Sequence, residues 1–162
     1  MYRVFDIMAD TSTNLAVMEL VLKTSDPGDL YQDNSAPDNP NEAYSTYVTI
    51  GDPRGSNAPG TLVLGAPVNI DPESNLVFDD QNLSIAWAPA KDEATKSGRF
   101  QIARIVLKDD ASASWTLMGW QTGLPARDFK ATGRRFRTLM VRHQVVTATA
   151  LIIFSLTGGL NG

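Results

Sequence analysis

The stretch "NLSIAWAPAKDEATKSGRFQIARIVLKDDASASWTLMG", residues 82–119, decides the fold. It holds three apolar runs, which are separated by the polar stretches "KDEATKSG" and "DDASAS". In the first run Leu83, Ile85 and Trp87 fall at alternate positions, so we expect these side chains to point into a core. Short apolar runs between turn-rich stretches are typical of antiparallel β-strands.

The rest of the chain up to residue 125 follows the same pattern and contains no long stretch with apolar residues at helical spacing. Further strands are predicted from "YRVFDIM", "NLAVMELVLKT", "TYVTI", "TLVLGAPVNI" and "NLVF". We therefore predict an all-β protein, an antiparallel β-sandwich of the jelly-roll or cohesin-like type with about seven to nine strands. In this interpretation residues 1–123 form the sandwich, and residues 124–162 form a linker and a basic-apolar tail.

The stretch "TLVLGAPVNI", residues 61–70, has the most regular period of two in the chain. Its apolar side chains at every second position, from Leu62 and Leu64 to Ile70, are expected on one face of a strand. Pro67 lacks a backbone N–H group, so this strand is predicted to lie at the edge of a sheet or to break there.

The net charge of −4 is unevenly distributed along the 162 residues. Residues 1–126 carry eight basic and 17 acidic side chains, a net charge of −9, whereas residues 127–162 carry six basic and one acidic, a net charge of +5. Because phosphate binding needs clustered cations, the acidic body makes nucleic acid an unfavourable partner. The chain has no cysteine, which excludes disulfides and thiolate metal sites.

No pattern in the sequence indicates catalysis. His143 is the only histidine, and a solvated surface group is a better interpretation of it than a Ser–His–Asp triad. The glycine-rich stretch 51–60 lacks the Gly-Lys-Ser/Thr ending of a phosphate-binding loop. Acidic pairs occur at residues 79–80, 92–93 and 109–110, where predicted strands end and Asp is common in turns. We therefore predict that the protein is not an enzyme.

The loop at residues 25–45 is rich in Asp, Asn, Pro, Gly and Ser, and loops of this length are often functional. Its side-chain oxygens are of the kind that Ca²⁺ binds, although their spacing does not match an EF-hand. A solvated acidic loop is the alternative interpretation. No other cofactor is predicted. The candidate calcium ligands are Asp26, Asp29, Asp33 and Asp38, with Asn34 beside them.

Aromatic residues supply the candidate ligand-binding surface. Trp115 and Trp120 are an odd number of positions apart, so a regular strand places them on opposite faces, and one of them faces outward or lies at the rim. Exposed rings beside acids are typical of sugar binding, since ring faces stack on the CH groups of pyranoses, and equally of protein-binding hot spots. The candidate residues are Trp115, Trp120, Tyr31, Tyr44 and Tyr47.

The tail "RRFRTLMVRHQVVTATALIIFSLTGG", residues 134–159, combines positive charge with the most apolar run of the chain. The run from 145 to 160 is shorter than the roughly 20 apolar residues that a membrane-spanning helix needs, so a membrane segment is disfavoured. A helix packed on the sandwich is a second alternative. The period of two favours a β-strand, which joins either its own sheet or that of a neighbouring copy. The candidate assembly residues are Arg134, Arg135, Arg137, Val146, Ala148, Ala150, Ile152, Phe154 and Leu156.

A pattern of residues spans the stretch that decides the fold and the loop before it: Ala86-Trp87, Gly98, Phe100, Ile102, Ala103, Arg104, Asp109-Asp110-Ala111 and Trp115, together with the upstream "LYQD". In this pattern residues 2–120 resemble a group of exported proteins of planctomycete-like bacteria. The general layout is also similar to cohesin-like and carbohydrate-binding sandwiches. The resemblance implies an exported, non-catalytic sandwich at the cell surface. This chain departs from it in lacking the Pro-Glu-Pro sorting signal, and its basic cluster precedes the apolar run.

We therefore expect a non-catalytic structural or interaction module that is extracellular or attached to the cell surface, although no export signal is visible at residues 1–14. Its expected partners are other copies of itself or another surface protein, joined through the tail. The alternatives are a carbohydrate-binding module that takes polysaccharide, with or without calcium, and a viral or phage structural protein.

Overall fold

The computed structural model describes residues 2–11, 15–32, 45–50, 60–90, 98–121, 127–133 and 149–156. Within these ranges the chain forms ten β-strands and no helix, which confirms the predicted all-β class. The strands are β1 Tyr2–Thr11, β2 Leu15–Thr24, β3 Tyr47–Val48, β4 Thr61–Gly65, β5 Val77–Phe78, β6 Asn82–Pro89, β7 Gly98–Lys108, β8 Ala113–Gln121, β9 Arg127–Gly133 and β10 Thr149–Leu156.

The strands form two sheets. A four-stranded sheet has the order β10-β1-β7-β3, and a six-stranded sheet has the order β4-β6-β2-β8-β9, with β5 also pairing with β6. Neighbouring strands are antiparallel, except that β10 runs parallel to β1. Both sheets contribute to one buried apolar cluster, for example Ile7 and Ile105 from the first and Leu20 and Leu117 from the second. This sandwich-like arrangement agrees with the predicted architecture.

The predicted inward face of residues 82–88 is confirmed. Leu83, Ile85 and Trp87 are fully buried on β6. The indole Nε1 of Trp87 donates a hydrogen bond to the backbone oxygen of Thr49, at 3.2 Å, immediately after β3. Because β6 and β3 belong to different sheets, this side chain connects the two layers through both packing and a satisfied polar group.

Strand β9 was not predicted, since residues 127–133 lie in the stretch interpreted as a linker. They pair with β8 over seven positions, from Trp115 opposite Gly133 to Gln121 opposite Arg127. The sequence "RDFKATG" has no clear alternation, and the ladder with β8 defines this strand. Both β9 and β10 pair with strands that precede residue 123, namely β8 and β1. The boundary at residue 123 between a sandwich domain and a tail stays a prediction.

Among the described strands, β4 lies at an edge of the six-stranded sheet, and it ends before Pro67, as the sequence predicts. It ends at Gly65, whose φ of 125° is a conformation that L side chains rarely adopt. The face of β4 that carries Leu62 and Leu64 points to the outside of the sheet, since both side chains are exposed. Val63, on the other face, packs against the core. The period of two therefore identified a shared face that lies on the outside of the sheet.

A buried carboxylate fixes the segment that follows β4. Glu19 on β2 is only 1% exposed. Its oxygens accept hydrogen bonds from the backbone N–H groups of Asn69 and Ile70, both at 3.0 Å, and from Asn69 Nδ2 at 2.7 Å. A buried charge is tolerated only where hydrogen bonds replace its hydration, so these contacts hold the segment against β2.

We expect Glu19→Ala to lower the free energy of unfolding by about 2–3 kcal/mol, because it leaves the N–H groups of Asn69 and Ile70 without their acceptor. Urea unfolding followed by circular dichroism measures this change. Glu73→Ala is the matched control, since Glu73 is an exposed acid in the same segment. An equal loss of stability in the two variants would show that the Glu19 contacts are not what holds the segment.

Candidate functional site

The two candidate tryptophans lie on opposite faces of β8. Trp115 is opposite Leu22 and packs against the core cluster. Trp120 lies opposite Val17 and Asp128, and the alternation of the strand directs it to the other, outer face of the six-stranded sheet. Trp120 is half-buried there. The two indoles therefore do not form a common binding surface.

The candidate Tyr31 belongs to an aromatic pair on the four-stranded sheet. Its ring centroid is 5.2 Å from that of Tyr2, with an angle of 60° between the ring planes. The Tyr2 hydroxyl donates a hydrogen bond to the backbone oxygen of Gly28 at 3.1 Å, and the Tyr2 side chain is exposed. The sequence does not indicate Tyr2 as a candidate binding residue, because Tyr2 begins β1 and is far along the chain from the loop at residues 25–45.

The candidate Tyr47 is only 1% exposed, so its ring is not an open stacking surface in this structure. The Arg104 guanidinium carbon lies 5.5 Å from the centre of its ring, and its hydroxyl donates a hydrogen bond to Gln101 Oε1 at 3.4 Å. Tyr47 is opposite Arg104 in the β3–β7 ladder, which explains the contact. Tyr44 lies outside the described residues.

Arg104 also forms the shortest ion pair of the described residues. Its Nε lies 2.6 Å from Asp6 Oδ1, and its Nη2 lies 3.1 Å from Asp6 Oδ2, which makes the pair bidentate. Gln101 Nε2 donates a further hydrogen bond to Asp6 Oδ1 at 2.8 Å. Asp6 and Arg104 are opposite each other on β1 and β7, so this polar group connects three strands of the sheet, β1, β7 and β3.

The candidate calcium ligands are only partly described. Asp29 Oδ2 accepts a hydrogen bond from the backbone N–H of Asp26 at 3.2 Å, and Asp29 Oδ1 lies 3.7 Å from Lys108 Nζ. Asp33, Asn34 and Asp38 lie outside the described residues. Within the described ranges no three potential ligands are grouped closely enough to hold a metal ion. The calcium site stays a prediction.

The candidate assembly strand is described in part. Four of its predicted residues lie on β10, which pairs with β1 over eight positions from Val4 opposite Thr149 to Thr11 opposite Leu156. In the part of the chain that is described, no helix is long and apolar enough to span a lipid bilayer. The residues on β10 are Ala150, Ile152, Phe154 and Leu156. Outside the described residues are Arg134, Arg135, Arg137, Val146 and Ala148.

An open cavity that was not predicted lies beside the turn between β7 and β8. Its volume is about 330 Å³. Phe5 and Leu107 line its apolar part, and Arg3 and Asp109 line its polar part, with Arg3 Nε 3.9 Å from Asp109 Oδ1. In the sequence, residues 109–110 indicated only a turn, because the cavity depends on the start of β1 lying next to that turn.

Comparisons with protein-family models, with curated protein sequences and with solved structures match no family, no relative and no structural neighbour. The interpretation of function therefore depends on the chain's own geometry.

We expect Arg104→Lys to lower the free energy of unfolding by about 1–2 kcal/mol, because lysine keeps the charge but loses the bidentate contact with Asp6. Urea unfolding measures the change. Arg3→Lys is the control, since its pair with Asp109 is long and exposed, and we expect a change below about 0.5 kcal/mol. If both variants lose the same stability, the bidentate geometry contributes nothing of its own.

Proposed function

We propose that the protein is a non-catalytic structural and interaction module that self-assembles through its C-terminal strand. The observation that supports this proposal is the position of β10. Among the described strands it is one of the two edge strands of the four-stranded sheet, and its ladder partner is β1. A ladder of main-chain hydrogen bonds does not distinguish between strands of the same sequence, so β10 of one copy can pair with β1 of another.

Chain length permits this exchange. β9 lies in the six-stranded sheet and β10 in the four-stranded sheet, with residues 134–148 between them. A segment of this length reaches up to about 50 Å when fully extended. Such a reach exceeds the width of a small sandwich layer, so the segment is long enough to bring β10 to an adjacent copy.

The charge distribution also supports assembly. Residues 1–126 have a net charge of −9 and residues 127–162 a net charge of +5, so the tail of one copy is attracted to the body of another. Opposite charges raise the rate at which copies meet and orient them. The proposed setting, extracellular or at the cell surface, follows from the sequence resemblance, and another surface protein is the alternative partner in that setting.

Strand exchange can be tested with two single-cysteine variants, because the chain has no cysteine of its own. Met8 and Ile153 are paired across β1 and β10. Chains carrying only Met8→Cys are unfolded, refolded together with tagged chains carrying only Ile153→Cys, and oxidised. We expect a mixed disulfide between the two chains on a non-reducing gel, since exchange brings the two sulfurs within bonding reach.

The register supplies the control for this experiment. Leu156 is paired with Thr11, three positions away from Met8, so Met8→Cys mixed with Leu156→Cys should give no mixed disulfide. A variant with both Met8→Cys and Ile153→Cys in one chain shows that the bond can form. If this double variant closes only within its own chain and the two single variants never cross-link, β10 stays with its own body and the proposal is wrong.

A carbohydrate-binding function is a second candidate, and the Tyr2–Tyr31 pair is the observation that favours it. The Tyr2 ring is exposed and contacts Tyr31. The ion pair of Asp29 and Lys108 lies nearby, since Lys108 is opposite Tyr2 in the β1–β7 ladder. Aromatic rings beside hydrogen-bonding groups suit a pyranose. A glycan array tests this candidate.

If a glycan binds, we expect Tyr31→Ala to lower its affinity by at least about tenfold, because the substitution removes the ring that stacks on the sugar. Trp120→Ala is the control, since Trp120 lies on the other sheet. An array without any bound glycan removes the candidate, and binding that survives Tyr31→Ala moves the site away from the aromatic pair.

A further inference from the structure

The start of β6 carries an acceptor pattern for N-linked glycosylation, Asn82-Leu83-Ser84. The pattern is asparagine, any residue except proline, and then serine or threonine, and Asn82 is the only asparagine of the chain that begins it. An acid, Asp80, lies two positions before Asn82, as the longer form of the pattern requires. Three residues match such a pattern often by chance, so the structure around them decides whether it is used.

The hydroxyl of Ser84 has no partner in the fold. Ser84 is only 8% exposed, and among the described residues its Oγ makes no hydrogen bond. The residues opposite it on the two neighbouring strands are Val21 and Val77. A buried hydroxyl without a partner costs stability, and alanine avoids this cost, as Ala86 does at the next position on the same face. The acceptor pattern therefore explains this serine better than packing does.

The side chain of Asn82 has room for a sugar. Asn82 is half-buried at the first position of β6, and it lies on the outer face of the six-stranded sheet because Leu83 faces the core. Lys23, which is opposite Asn82 on β2, is exposed. The Asn82 Nδ2 donates a long hydrogen bond of 3.4 Å to Asp79 Oδ1. The nitrogen that accepts a sugar is thus near solvent and weakly held.

We propose that Asn82 is a site of N-linked glycosylation. This inference rests on the proposed extracellular setting, because the transfer takes place on exported chains. The Asn82 Nδ2 attacks C1 of an oligosaccharide that is carried on a polyprenyl pyrophosphate. The N–C bond forms as the C–O bond to the pyrophosphate breaks, and the pyrophosphate leaves with that electron pair. The amide nitrogen gives one proton to a base of the oligosaccharyltransferase.

The burial of the pattern determines when the transfer takes place. The transferase recognises the hydroxyl at the third position of the pattern. In the folded protein Leu83 and Ser84 are buried, and β6 is paired on both sides, with β2 on one side and with β4 and β5 on the other. The transfer therefore precedes the pairing of β6. The sugar then lies on the six-stranded sheet, whereas β1 and β10 belong to the other sheet.

Export of the full chain, behind a cleavable signal, by a host that has an oligosaccharyltransferase tests the site. A second acceptor pattern on a flexible tag of the same chain reports that the transfer takes place. We expect the intact mass to rise by two oligosaccharides, and peptide mapping to locate one on the tag and one on Asn82. Asn82→Gln should keep only the one on the tag. A parent chain that is modified on the tag alone would overturn the inference.

Two substitutions of Ser84 form a matched pair. Ser84→Thr keeps the pattern and should keep the oligosaccharide on Asn82. Ser84→Ala should lose it completely, while its melting temperature stays within about 2 °C of the parent, because the hydroxyl has no partner to lose. Equal modification of the two variants would contradict the proposal, and so would a clearly lower melting temperature of Ser84→Ala, which would assign the hydroxyl to the fold.

The folded chain supplies the last comparison. Protein purified without modification and then incubated with the transferase and its lipid-linked oligosaccharide should be modified on the tag only, and modification of Asn82 there would contradict the proposed order. Strand exchange by β10 is measured separately, by the cross-link between Met8→Cys and Ile153→Cys on the other sheet. Cross-linked chains without a sugar on Asn82 would overturn this inference alone, and glycosylated chains that never cross-link would overturn only the assembly.

Discussion

An inner strand needs hydrogen-bond partners along both of its sides, and for β1 this requirement organises the four-stranded sheet. β7 satisfies one side, and the bidentate contact between Asp6 and Arg104 reinforces that pairing. β10 satisfies the other side from a distant part of the chain. The sheet is therefore completed only when residues 149–156 reach β1, which makes one ladder important both for the fold and for the proposed assembly.

Several features of the fold could be predicted because they depend on local alternation alone. Trp87 shares a face with Leu83 and Ile85, and β6 has its core on that side, so the predicted burial is correct. The odd spacing of Trp115 and Trp120 sends them to different faces whatever the partners of β8 are. The all-β class followed from the same short runs between turns.

Other features depend on contacts between distant segments, which a single sequence does not reveal. Alternation at residues 61–70 showed that side chains share a face, but the packing of Val63 decides which face is inside. Tyr47 is buried, and Arg104 lies over its ring from the opposite position on β7. β9 has no pattern of its own and exists through its ladder with β8. For the candidate site, the sequence pattern selected the aromatic residues, but it did not reveal that they are distributed over two sheets.

The parallel direction of β10 has a mechanical consequence. Because β1 and β10 run the same way, Tyr2 and Leu156 lie at opposite ends of the sheet. A force applied between these two positions acts along the strands and loads the eight-position ladder in shear, so its hydrogen bonds must break together. An antiparallel pairing would put both attachment points at the same end of the ladder, and the hydrogen bonds would then break one after another from that end. The parallel ladder of β1 and β10 therefore opposes tension along these two strands more strongly than an antiparallel ladder would.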